Sequence, residues 1–234
     1  MIFANVKEIT IPEGTVKEIY SGNILLWSAS RIPTEYQEVE YIRAASNQGA
    51  YLNLGFAFDT KATIYLNQYI TSSSVSYIFG AAENSGKLRC CFSNPYTNGA
   101  GCGTFYGSSG SYFIGIEAKY VLNSVNEYIL TVENKKLQTY NKTNDYLSTN
   151  DQQGAYTMTN NLYLFAQNYN GTMRYGSGTR QIHYFAYYDK NNDLICELIP
   201  CYRKSDGVIG MYDTARNIFL TNAGTGTFTK GADV

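Results

Sequence analysis

From residue 36 onward apolar and polar positions alternate in short runs: "YQEVEYIRA", "AYLNLGF", "ATIYLNQYI", "YIFGAA", "KLRCCFS", "YFIGIEA", "EYILTVEN", "KLQTYN", "NLYLFAQ", "RQIHYFAYY", "LICELIP", "GVIGMYD" and "NIFLTN". A period of two sends successive side chains to opposite faces of a strand, whereas a helix needs apolar positions three and four apart. Gly, Asn, Asp and Ser punctuate the runs as turn residues do. The pattern predicts roughly a dozen strands between residues 36 and 230, close enough together to exclude βαβ units. Two antiparallel sheets packed face to face accommodate them. Only "PTEYQEVEYIRAA" admits a helix, through Tyr36, Val39 and Ile42. Val39 and Tyr41 fit a strand as well, and a strand is the preferred reading.

The first thirty residues are patterned differently. "VKEI" occurs at 6–9 and again at 16–19, which reads as two strands joined at Pro12, Glu13 and Gly14, with a third at "NILLW", 23–27. Three short strands are marginal alone, so this segment is expected to dock on the rest of the chain or on a partner. "SASRIP" at 28–33 has linker composition. It divides an N-terminal β segment, 1–30, from a main domain, 31–234. Near the other end, Asp213, Thr214, Arg216 and Asn217 interrupt two apolar runs in "VIGMYDTARNIFLTN", the pattern of a hairpin. "AGTGTF" then leads to a last strand at Phe228, with Gly224 and Gly226 allowing the bend.

Composition agrees with an all-β chain: 23 Tyr, 11 Phe and 21 Gly in 234 residues. Aromatic residues fit half-buried pleated surfaces and Gly fits turns. Lys and Arg number 18 against 19 Asp and Glu, a net charge of −1, and the basic residues are scattered. Nucleic acid is therefore not an expected partner. No apolar run of about 18 residues is present and the N-terminus lacks the layout of a signal peptide. These features predict a soluble chain, without membrane insertion or an ordinary export route. Five cysteines, Cys90, Cys91, Cys102, Cys196 and Cys201, lack paired CxxC spacing. They read as reduced and mostly buried; a Cys90–Cys102 disulfide or a zinc site is the alternative, opposed by cytosolic assembly and by the want of a fourth ligand.

The run "YDKNNDLICELIPCYRKSDGVIGMYDTARNIFLTNAGTGTF", 188–228, resembles the C-terminal end of concanavalin A-like, LamG-type jelly-roll domains of bacteriophage and prophage structural proteins. "IPTEYQEVEYIRAASNQGAYLNLGF", 32–56, is similar to the start of those domains, so the two bracket nearly the whole chain after residue 31. The N-terminal "VKEITIPEGTVKEIYSGNILLW" is similar to short β segments that precede modules in such proteins. The resemblance implies a concanavalin A-like jelly-roll sandwich carried on a virion, as a tail, fibre or head-decoration component assembled in the host cytoplasm. Residues 1–30 would then contact other virion proteins. Homo-oligomerisation suits such a protein, although no heptad stretch argues for a coiled coil.

Related concanavalin-like folds include glycoside hydrolases, which place acidic residues in an ExDxE arrangement on one strand. That triplet is missing here, and Glu38 and Glu40 in "EVE" come nearest, as a solvated edge. His183, the sole histidine, alternates with Phe185 and Tyr187 as a core or cross-strand residue, without a GxSxG elbow. "DKNND", 189–193, opens like a calcium loop but continues with Leu194, so a hairpin turn accounts for it better. LamG-type domains sometimes hold calcium in rim loops, but no ligand set matches here and no cofactor is expected. "NKT" at 141–143 and "NGT" at 170–172 read as turns rather than glycosylation sites.

Two polar, Tyr-rich stretches, 93–110 and 167–178, offer flat apolar faces and amide groups suited to sugars. Tyr96, Asn98, Tyr106, Asn168, Tyr169, Arg174 and Tyr175 form the expected contact set, although ordinary turns of a Tyr-rich β protein have the same composition. The expected function is that of a non-enzymatic virion protein binding host-surface polysaccharide. A purely structural decoration or fibre protein is the first alternative, and a polysaccharide-degrading enzyme the second.

Overall fold

The computed structural model describes residues 9–11, 14–16, 18–21, 24–28, 31–70, 76–83, 88–96, 101–108, 114–133, 136–151 and 158–234, with the backbone alone at 9–28, 88–91, 93–108, 114–118 and 150–151. In the N-terminal segment β1 (Ile9–Ile11) pairs with β2 (Gly14–Val16), and β3 (Glu18–Ser21) with β4 (Ile24–Ser28). The expected turn at Pro12 and Glu13 lies outside the described residues; the second "VKEI" is shared between two strands, giving four described strands in place of three. The first "VKEI" lies outside the described residues except for Ile9.

The main body is an all-β jelly-roll sandwich, with no helix among the described residues. Its larger sheet holds eleven strands. Their path runs through β15 (Tyr146–Asp151), β14 (Lys136–Asn141), β13 (Ser124–Glu133), β8 (Ala62–Ile70), β19 (Arg180–Tyr188), β20 (Leu194–Arg203), β21 (Ile209–Asp213) and β22 (Ile218–Thr221). Three short strands join this path: β5 (Tyr36–Glu38) on β20, and β6 (Ile42–Ala44) between β19 and β23 (Phe228–Lys230). The second sheet holds eight strands: β12 (Ile114–Ala118), β11 (Gly101–Ser108), β10 (Leu88–Tyr96), β9 (Ser76–Glu83), β16 (Asn161–Leu164) and β7 (Leu52–Ala57) in order, with the hairpin of β17 (Gln167–Tyr169) and β18 (Thr172–Arg174) alongside β9.

Alternation places the core where the sequence puts it. On β8, Ala62, Ile64, Leu66 and Ile70 are buried while Tyr65 is exposed. These residues join Tyr128, Leu130 and Val132 of β13 and meet Leu52, Leu54, Phe79, Phe92, Leu162 and Leu164 of the other sheet in one cluster. Each Ile, Leu, Val or Phe among them contributes about 1.5–3 kcal/mol on burial. Aromatic rings interlock the layers: Phe92 meets Tyr128 at 5.0 Å between centroids, and Phe79 meets Phe185 edge-on at 5.8 Å.

The strands are more numerous than the expected dozen because long runs are broken where partners change. "YQEVEYIRA" is strand, as preferred, but splits into β5 on β20 and β6 on β19, with a corner at Glu40 and Tyr41. A second departure is the Tyr-rich stretch 93–110, expected as a long turn: its described residues, 93–96 and 101–108, belong to the paired strands β10 and β11, in which Cys90 opposes Tyr106 and Phe92 opposes Thr104. Its Gly, Thr and Tyr content disguised a strand. That register places Cys102 four positions from the partner of Cys90, about 13 Å along the strand, too far for a Cys90–Cys102 disulfide. Cys196 and Cys201 are buried free thiols, and burial pushes the Cys201 thiol up to about 12.

The closing hairpin forms as the sequence predicts, and its turn is bolted to the opposite sheet. Fully buried Asp213 accepts N–H bonds from Ala215 at 3.0 Å and Arg216 at 3.2 Å, and its second oxygen takes Arg216 Nε at 2.6 Å. Arg216 Nη1 continues to the Leu54 carbonyl of β7 at 2.6 Å. Beyond the hairpin, Asn222 accepts from Tyr51 N at 3.1 Å and donates to the Gly226 carbonyl at 2.6 Å. Gly224 and Gly226 are required there for space: neither has a left-handed φ, but a methyl on Gly224 would strike the Gly49 carbonyl and one on Gly226 the Ala50 amide. The opening and closing motifs thus meet at one corner of the sandwich.

Candidate functional site

The β17–β18 hairpin turns through Asn170 (φ 47°) and Gly171 (φ 83°), both in the left-handed region, as the tightest hairpin connection demands. Asn168 is 4% exposed, and its amide is spent inside the hairpin, donating to the Asn161 carbonyl at 2.9 Å and accepting from Gly171 N at 2.8 Å. Tyr169 and Arg174 face outward together, the guanidinium carbon 3.3 Å from the ring centroid. A cation stacked this closely stiffens an otherwise mobile side chain. Register separates the expected contact set into two locales. Tyr106, Cys90, Ala81 and Asn168 share one row across the sheet. Ser76, about 16 Å away along β9, pairs with Asn94 on one side and Gly176 on the other, which draws the Tyr96 end of β10 towards Tyr175. Asn98 lies outside the described residues.

Tyr175 opens onto the corner where the two motifs meet. A cavity of about 360 Å³ there is lined by Asn47, Gln48, Gly49, Tyr175, Thr225, Gly226 and Thr227. Its walls are held by Arg180, fully buried at the start of β19. The guanidinium donates to the carbonyls of Ala45 at 3.1 Å, Gln48 at 2.6 Å and Tyr175 at 3.3 Å.

A larger groove, of about 640 Å³, crosses the outer face of the eleven-stranded sheet. Val125, Tyr69, Gln181 and Arg43 form one cross-strand row along its floor, on β13, β8, β19 and β6. Glu40, Tyr41 and His183 line it as well. His183 arrives there through a bulge: the β19–β8 register slips by one residue between Ile182 and Tyr184. The expected alternation with Phe185 and Tyr187 is broken, since those two rings are core while His183 is half-buried at the surface. Its ring lies 5.2 Å from that of Tyr41, and its Nε2 is 3.1 Å from the Gln181 amide nitrogen. Burial lowers its pKa, partly offset by Glu40. Arg43 sits 5.9 Å from the Tyr41 ring and donates to Thr229 Oγ1 at 3.4 Å.

This groove was not legible from spacing. Its residues run from Glu40 to His183, and two irregularities build it: the corner after β5 and the bulge in β19. "EVE" is also divided, with Glu38 paired to Arg31 and Glu40 taking Ala232 N at 3.3 Å. "DKNND" is the β19–β20 turn, where Asp189 Oδ1 accepts from Asn191 N at 2.9 Å and Asp193 N at 3.0 Å. Among the described residues no three His, Cys, Asp or Glu gather as metal ligands.

No protein-family model and no curated protein sequence matches the chain. Solved structures do. A Bacteroides ovatus protein described as carbohydrate-binding superposes with a TM-score of 0.54 at 12% identity, over 84% of this chain and 62% of that one. This chain therefore spans less than two thirds of that protein, and the likeness is one of fold. Looser superpositions reach a heptameric SAP-like pentraxin of Limulus polyphemus (TM-score 0.46, 12% identity, 64% of this chain and 76% of that one) and tailspike protein 2 of the Escherichia coli O157:H7 bacteriophage CAB120 (TM-score 0.45, 14% identity, 75% and 28%).

Proposed function

We propose that the chain is a non-enzymatic, virion-associated lectin, in which residues 1–30 attach to other virion proteins and the LamG-type jelly roll binds bacterial surface glycan through the groove on the eleven-stranded sheet. The observation that carries this reading is the groove's lining. Tyr69 and Tyr41 offer flat faces to pyranose C–H groups, while Gln181, Arg43, His183 and Glu40 offer hydrogen-bond donors and acceptors for sugar hydroxyls. Its volume falls in the range of small-molecule sites. Carbohydrate binding is also named for the Bacteroides protein, but here it rests on the chemistry of the groove. The virion setting rests on the resemblance of the opening and closing motifs.

The arrangement of carboxylates supports binding without hydrolysis. Glycoside hydrolysis uses two acidic groups across one cleft, and the groove has Glu40 alone, already accepting from Ala232 N. An open groove of this size predicts weak single-site affinity, raised by display of many copies on one particle.

The test is binding of the labelled, multivalently displayed protein to intact candidate host bacteria and to mutants stripped of surface polysaccharide. Saturable binding that disappears on the stripped cells, and falls at least tenfold in a Tyr69→Ala/His183→Ala variant, is expected. Undiminished binding by that variant rejects the groove. No binding by the wild-type protein to any host cell puts the purely structural decoration role first.

A further inference from the structure

The corner cavity beside Tyr175 has an electrostatic feature the groove lacks. Arg180 is fully buried, and among the described residues it makes no ion pair. Its hydrogen-bond partners are three backbone carbonyls, its guanidinium carbon lies 5.3 Å from the centre of the Tyr175 ring, and among the described residues its Nε has no partner. Two of those carbonyls belong to Gln48 and Tyr175, which themselves line the cavity. Burial brings the guanidinium down to about 10, so it remains protonated at neutral pH. Carbonyl dipoles solvate such a charge but do not cancel it, and its field reaches further in the protein than in water. No Asp, Glu, Lys or Arg is among the residues that line the cavity, which are Asn47, Gln48, Gly49, Tyr175, Thr225, Gly226 and Thr227. The site is polar, open and next to a positive charge that no carboxylate among the described residues pairs with.

We infer that this corner cavity is a second saccharide site, selective for an anionic sugar, one bearing a carboxylate or a phosphate. The inference rests on the glycan-binding reading but uses a different face of the sandwich. Tyr175 supplies the stacking face, while Thr225, Thr227 and Asn47 reach the sugar hydroxyls. Arg180 attracts the anion from behind the wall formed by Gln48 and Tyr175.

Calorimetric titration of the full chain tests this with three probes: an oligogalacturonate, an oligo(glycerol phosphate) and neutral maltotriose. At least one anionic probe is expected to bind tenfold more tightly than maltotriose in low salt, and to weaken as salt screens the charge. Comparing the two anionic probes distinguishes carboxylate from phosphate. Thr225→Asp, a surface change that places a negative charge in the cavity, should remove anionic binding at least tenfold and leave neutral-sugar binding in the groove intact. Thr225 is chosen because Arg180 variants risk unfolding the corner. Anionic binding that survives Thr225→Asp and disappears in Tyr69→Ala/His183→Ala would overturn the inference by moving the ligand to the groove. Neutral-sugar binding with no anionic preference overturns it too, while leaving the groove reading in place. Absence of binding by all probes, together with no binding to host cells, sinks both.

Discussion

Two hairpins of similar size use arginine in opposite ways. At the β21–β22 turn, Arg216 is drawn inward by buried Asp213 and bridges to the Leu54 carbonyl of the other sheet. On the β17–β18 hairpin, Arg174 lies over Tyr169 on the solvent side, and among the described residues it has no carboxylate partner. The first arginine fastens one layer to the next; the second stiffens a surface. The difference comes from the neighbour the backbone offers: an aspartate whose oxygens are already aimed by the turn's own amides, or an exposed aromatic ring.

The largest way to break this contrast is Asp213→Ala. It strands a partly buried guanidinium and the backbone donors of Glu197, Ala215 and Arg216, and a loss of about 3 kcal/mol is expected in urea unfolding. A loss under about 1 kcal/mol would show that the turn does not hold the layers together. Gly224→Ala comes next: its methyl meets the Gly49 carbonyl, while Asn222 holds Gly224 N and Tyr51 N on either side of the contact. Overpacking of this kind costs about 1–3 kcal/mol, and thermal unfolding would register it; an unchanged Tm would mean that the corner is slack. Arg174→Ala should cost no more than about 0.5–1 kcal/mol, the range for an exposed cation–π contact. A larger loss would mean that the β17–β18 hairpin is structural after all.

The smallest effect is a tilt in the pH profile. The His183 pKa is lowered in the folded chain, chiefly by burial, so the unfolded chain takes up a proton first as pH falls. The neutral imidazole's contribution is complete above about 6.5, the unfolded value, and declines from there down to the lower folded value. His183→Asn should flatten that part of a Tm-against-pH curve while keeping Glu40 and Arg43 in place. A variant curve parallel to the wild type would assign the tilt to other groups.

Much of this fold can be read from residue order, and the failures share one cause. Alternation marked β8 and β13 correctly because both run unbroken between two partners, so every second side chain is committed to the core. The closing hairpin was legible because Asp213 and Asn217 are strong turn residues beside apolar runs. The strand β11 was missed because Gly103 and Thr104 look like loop, although β10 and β12 pair with them on both sides. His183 was assigned to the wrong face because a bulge leaves no mark in a run of alternating residues. The groove was invisible for the same reason: register, not sequence proximity, sets Val125, Tyr69, Gln181 and Arg43 side by side. Tyr175, by contrast, was singled out from composition and does line a cavity, though its companions from 47–49 and 225–227 were read only as motif.

The joint between β6 and β23 has a mechanical consequence. Val39 bridges Asp233, and Val234 N bonds the Glu38 carbonyl at 3.0 Å. Pairing then continues from Ile42–Lys230 to Ala44–Phe228. A pull applied between residue 31 and Val234 would therefore open this antiparallel pair from one end, bond by bond, as a zipper. Had the same strands run parallel, all the bonds would have been loaded in shear at once. Tension through those two points peels the seam at low force, whereas a pull on the groove face loads β8, β13 and β19 across their full length.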